Sequence, residues 1–226
     1  ATILGDIGYK HAGPALIVCA TDSQNPTVVR IAASTALGKI GMDANPSNLS
    51  AQQTVVANRF YAGENSLQPQ PIGGLNLFWK WDGENQLVAL DIPEEVFFDV
   101  MAMYYASEAL GTDVDNATAM STFVGANLRR NRALAGRNDL VYGDLAYSPE
   151  FYATVFGPKI AQLVLTTSLQ DGDTPLVLDS ITALSKTAGA DALLQSGSQP
   201  IVVAMQYPDR RVQYEAALTL ASTLPN

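Results

Sequence analysis

The sequence predicts an all-α chain, a solenoid of stacked helix pairs with one small inserted β-hairpin. Three observations carry this. Apolar residues recur at helical spacing through most of the chain. Residues 25–41, 172–186 and 208–221 resemble one another. Two β-rich runs, residues 76–81 and 86–92, flank Asp82-Gly83-Glu84-Asn85, and Asp-Gly between such runs signals a hairpin.

Taken in order, residues 1–7 read as a short apolar helix with Ile3, Leu4 and Ile7 left uncovered. Opening directly in helical sequence suggests a chain cut from a longer parent. The uncovered end leaves self-association open, because terminal repeats need a polar cap. Residues 13–20 form the first partner helix, with Cys19 as a buried core thiol. In the first repeat Val29, Ala33, Ala36, Leu37 and Ile40 make one stripe. Small residues such as Ala32, Ala33, Ala216 and Ala217 permit close helix approach. Pro26, Pro175 and Pro208 stand where a helix can begin, and Asp173 and Asp209 can cap such starts. Leu37, Leu184 and Leu220 share a register, and the last two lie 36 residues apart, one helix-turn-helix unit. Each unit is too small to bury its stripe alone, so units must stack.

The middle differs. Residues 50–63 read as a helix and residues 64–75, rich in Pro and Gly, as a loop. After the hairpin, Pro93-Glu94-Glu95 starts a long helix that runs through Leu110, with acids near the positive end of its dipole. The organisation is thus N-terminal pairs over 1–47, a middle over 48–140 holding the hairpin at about 76–92, and C-terminal repeats over 141–226, in one continuous array.

The pairs resemble HEAT repeats, whose second helix begins with an Asp-x-x-Val-Arg phrase and carries paired alanines. Val29-Arg30 matches that phrase, Asp209-Arg210-Arg211-Val212-Gln213 matches it with Gln for Arg, and Leu176-Val177 lacks the Arg. The likeness covers roughly the first 41 residues and the last 70. Ala109-Leu110-Gly111-Thr112-Asp113-Val114-Asp115-Asn116-Ala117 is similar to the turn of a tetratricopeptide repeat, with Val114 in place of the usual Pro. The whole chain also looks like bacterial repeat proteins of unassigned role that mix the two types. This resemblance implies a right-handed α-solenoid and a scaffold or adaptor that binds a protein or peptide. A regulatory or targeting module of a larger protein, with its active domain elsewhere, is the alternative.

Composition narrows the partner. Of 226 residues 47% are hydrophobic and 15% charged, which suits a folded chain and excludes a disordered tail. Thirteen Lys and Arg face 22 Asp and Glu, and a net charge of −9 disfavours nucleic acid and anionic membrane surfaces. No apolar run approaches the roughly 20 residues that span a bilayer. The expectation is a soluble protein, cytoplasmic or periplasmic, because one cysteine allows no internal disulfide and leaves the compartment open.

Catalytic, cofactor and metal sites are all expected to be absent. His11 is the single histidine and Cys19 the single cysteine, too few for a His/Cys metal site or a nucleophile–base pair. His11 reads as a solvated turn residue. The carboxylates Glu94-Glu95 and those around 171–173 read as helix-start acids rather than a catalytic pair. Gly73-Gly74 has no following Lys-Ser or Lys-Thr and makes no phosphate loop.

Two features remain. Leu77, Trp79 and Trp81 alternate onto one face of the hairpin, Phe78 and Lys80 onto the other. The favoured reading plugs the tryptophan face onto the helices, since a lone hairpin is marginal in water. The other makes it an aromatic anchor for a partner. Arg129, Arg130, Arg132 and Arg137 form the one basic run, whose favoured reading is a cation cluster at a helix C-terminus and whose other reading is a contact to an acidic peptide or phosphate. The candidate protein-binding residues are therefore Trp79, Trp81, Arg129 and Arg130, facing a peptide with an apolar anchor and acidic flanks.

Overall fold

A computed structural model describes residues 1–81, 83, 86–137, 139–143, 145, 147–189, 193 and 199–223. It is mostly helical, with one two-stranded antiparallel sheet. The residues 82, 84 and 85 of the expected hairpin turn lie outside the described set.

The N-terminal unit comprises α1 (Thr2–Asp6), α2 (Gly13–Thr21) and α3 (Thr27–Lys39). Its stripe folds inward as the periodicity predicts: Ala33, Ala36, Leu37 and Ile40 are buried with Leu16 and Ile17, while Val29 stays exposed. Gly5 brings α1 onto α3 so closely that a Cβ there would lie 2.8 Å from the Ala36 Cα. This unit has its own core, separate from the larger one.

The larger core begins with α4 (Leu49–Tyr61), which packs on α5 (Phe97–Thr112), and α5 packs on α6 (Ala117–Leu134). Asn116 caps α6 by accepting from the Ala119 amide, and its own amide donates to Ser50 and Thr54 hydroxyls of α4 at 2.9 Å each. One side chain thus fixes a turn and ties α4 to α6. Phe60, Phe97 and Tyr105 meet in the same core, with Phe60 and Tyr105 stacked at 5.7 Å.

Sequence reading had no helix between α6 and the second repeat. The structure has α7 (Pro149–Val155), capped by Ser148 and opened by Pro149. Then come α8 (Gly157–Asp171) and α9 (Thr174–Thr187), joined by Gly172 in the left-handed region and capped by Asp173. The last pair is α10 (Pro200–Ala204) and α11 (Arg210–Thr223). The α10 helix rests on α8 and α11 on α9, so successive pairs stack helix upon like helix. In the paired alanines one member faces in: Ala33 and Ala216 are buried, while Ala217 is exposed.

Candidate functional site

The sheet pairs β1 (Leu75–Trp81) with β2 (Leu87–Pro93) in antiparallel register, Trp79 opposite Ala89 and Trp81 opposite Leu87. Period-two alternation divides its faces. Phe78, 4% exposed, and Ile92 turn toward the helices, where Phe78 meets Tyr104 edge-on at 5.2 Å. Leu75, Leu77, Trp79 and Trp81 turn the other way. The tryptophans remain 60% and 56% exposed. The favoured plug reading is overturned: Phe78 and Ile92 seat the hairpin, leaving both tryptophans in solvent.

Register extends this face into β2. Leu87 and Asp91 lie across from Trp81 and Leu77, and Ile72 stands exposed just before β1. Asp91 is exposed and is the charged side chain of the outer face. Sequence reading missed Ile72, Leu87 and Asp91, although carrying the alternation across the antiparallel register would have found the last two. Beside Ile72, Leu75 and Trp79 the surface folds into a groove of about 430 Å³ that also reaches Pro69 and Asp91. Among the described residues the sheet has two strands, so neither long edge is paired with a third.

The arginines do not join this face. Arg129 donates to the Asp99 carboxylate at 2.6 and 2.9 Å and to the Tyr61 carbonyl at 2.7 Å, and its guanidinium lies 3.9 Å over the Tyr61 ring. Burial pushes the Asp99 carboxyl up, against the pull of Arg129. Arg130 is buried and donates to Asp139 at 2.5 Å and to Asn127 at 3.0 Å. Arg132 pairs with Asp173 and Asp179, and Arg137 with Glu95. Four cations spaced along a helix end are therefore spent inside the chain, because each emerges opposite a carboxylate of another segment. The expectation of acidic flanks on a partner loses its support with them.

His11 is a further correction. It is half-buried in a 3₁₀ turn (Lys10–Ala12), with Nδ1 3.2 Å from the Arg59 guanidinium and its ring edge-on to Tyr9. Burial and Arg59 both press its pKa down, and Glu64 partly opposes them. The Glu64 carboxyl is held at about 2 by hydrogen bonds from Arg59 and Ser66. Cys19 is half-buried at the edge of the N-terminal core. Among the described residues no three His, Cys, Asp or Glu side chains converge to hold a metal, and no helix is long and apolar enough to cross a membrane.

No family model, curated protein or solved structure matches this chain.

Proposed function

We propose that the protein is a non-enzymatic scaffold, a HEAT-like solenoid whose hairpin docks an extended segment of a partner protein. The observation that carries the reading is the outer face of the hairpin, where both tryptophans of the chain and three leucines meet solvent together. Contiguous exposed apolar surface of this kind marks interaction sites, and Trp is enriched in binding hot spots. Unpaired strand edges favour a partner that adds as a third strand, with alternate side chains reaching the apolar face. The stacked pairs α8/α9 and α10/α11 support the solenoid.

The occupant is an aliphatic and basic segment. Asp91 lies within the face, the net charge is −9, and Arg129 and Arg130 are turned inward. A cationic side chain flanking the apolar contacts completes the charge match, and an acidic one is repelled.

Titration with extended synthetic peptides alternating valine with lysine, or valine with glutamate, tests this. Binding of the lysine peptide should shift tryptophan emission to the blue, and Asp91→Lys should reverse the preference. A blue shift that grows with protein concentration alone would make the face a self-association surface instead. Absence of any peptide-dependent change in emission, with Trp79→Ala protein indistinguishable from wild type in binding, rejects the reading.

A further inference from the structure

The segment before the hairpin is itself an unfinished hairpin. Sequence reading took residues 64–75 as a loop. Within it the Ile72 amide donates to the Leu75 carbonyl at 2.9 Å, and the Leu75 amide donates back to the Ile72 carbonyl at 3.2 Å. Gly73 and Gly74 between them have φ of 61° and 78°, the positive values that a two-residue turn of the I′ type requires. The chain thus turns back along the outer edge of β1 and makes one bridge there. Beyond the bridge the two limbs part. Pro69, Gln70 and Ile72 line the groove of about 430 Å³ together with Leu75, Leu77 and Trp79.

The phase of the ladder says what that edge offers. The Glu94 amide donates to the Gly74 carbonyl at 2.9 Å, so the even-numbered residues of β1 aim their backbone groups at β2. The odd-numbered ones aim theirs outward, as Leu75 does toward Ile72. Leu77 comes next on that edge, then Trp79, and among the described residues no strand pairs with either there. Carrying the Ile72–Leu75 register on by two residues sets Gln70 opposite Leu77 in a doubly bonded pair. Gln70 has the N–H that such a pair needs. Pro69 and Pro71 lack one, and they fall where the nitrogen points away from β1, a position at which an edge strand tolerates proline.

The same alternation makes the arm a good cover. Once closed, its own outer edge carries Pro69 and Pro71, which offer no donor to a further strand, and proline on an edge is one way proteins blunt it. The closure has a fixed extent. The Gln68 amide is held by the Asn65 carbonyl at 3.2 Å and Leu67 is buried, so the arm is tethered and stops short of Trp79. Between tether and turn, Gln70 and Ile72 are exposed, so the arm is free to move toward β1 without leaving a core.

We infer that residues 69–72 are a built-in third strand that closes onto Leu77 and competes there with the partner segment. The inference rests on the strand-docking reading of the hairpin for its partner alone, and the closing of the arm is tested without one. In the free chain the Leu77 amide should exchange with solvent roughly tenfold more slowly than the Trp79 amide, after correction for intrinsic rates, because the arm reaches the first and not the second. Gln70→Pro removes the N–H that the closed pair uses and should bring the two rates together. Gln70→Ala keeps that N–H and should behave as wild type. The valine–lysine peptide should bind Gln70→Pro tighter than wild type by the same factor by which Leu77 loses protection, since a closed arm lowers apparent affinity by the fraction of open molecules. Protection of Leu77 that disappears in Gln70→Pro, with no peptide bound by either protein, keeps the closing arm and rejects the partner. Equal exchange of Leu77 and Trp79 in wild type, protection unchanged in Gln70→Pro, or equal peptide affinity in two proteins whose Leu77 protection differs would each overturn the inference.

Discussion

Single side chains in this protein are decided by what stands opposite them. Gly125 illustrates the point. Its helix would be better served by alanine on propensity, but the Tyr61 phenol occupies the space a methyl needs. Gly125→Ala should therefore destabilise by about 1–3 kcal/mol in urea unfolding, rather than stabilise. Arg130 and Asp139 pose a similar question with charges. Their side chains are 7% and 0% exposed and 2.5 Å apart. Asp139 also accepts from the amides of Val141 and Tyr142, so it anchors the chain after α6. Asp139→Ala should cost about 3–5 kcal/mol, because it strands a buried guanidinium. Replacing both members with apolar residues should cost less than removing the carboxylate alone, and chemical denaturation of the two variants checks the order.

Between elements, the joint of interest ties the N-terminal unit to α4. The α2 helix packs on α4, and His11 reaches Arg59, which is itself clamped by Glu64. Both titratable groups act in one direction. His11 has its pKa lowered below 6.5 on folding, so acidification protonates the unfolded chain first and stability present above that value is lost as pH falls. Glu64 is held at about 2 against 4.5, so its share is present above 4.5 and is lost between 4.5 and about 2. A protonated His11 would also face the Arg59 cation directly. Amide exchange in residues 2–39 should accelerate between neutral pH and pH about 5, after correction for intrinsic rates, while α5 and α6 stay protected. His11→Gln should flatten that dependence. Exchange that rises uniformly along the chain would show that the joint is not the weak point.

At the scale of the molecule, two cores and a projecting apolar sheet face define what the solvent sees. Both tryptophans are exposed, so intrinsic emission should be that of solvated indole and readily quenched by acrylamide. Trp79→Ala and Trp81→Ala should each change unfolding free energy by no more than about 0.5 kcal/mol. Phe78→Ala, one residue along the same strand, should cost about 3–5 kcal/mol, since its ring is the one seated on Tyr104. A buried-type emission spectrum, or a large loss in either tryptophan variant, would contradict the orientation of the hairpin. The first helix adds a second uncovered area: Ile3 and Ile7 are exposed there and Leu4 is half-buried.

The sequence by itself determined the helical class, the bounds of α3, α4 and α9 to within a few residues, the caps at Asp173 and Asp209, and the two strands with their register-defining alternation. These are local properties. A 3.6-residue stripe, a period-two run or an Asp before a helix start acts within one element, and neighbours only modulate it. It also identified Trp79 and Trp81 as sharing one face. It could not say which face was buried, because alternation fixes that two faces differ and leaves the choice to whatever packs beneath. Tyr104 on α5 made that choice by receiving Phe78. Arg129 and Arg130 read first as finishing a helix and second as meeting an acidic peptide, because their partners, Asp99 and Asp139, lie on other segments of the chain. His11 met Arg59 across 48 residues of sequence, and Tyr61 of α4 met Gly125 and Arg129 of α6. Pairings of that kind depend on how helices are brought together in space, and no local pattern encodes them.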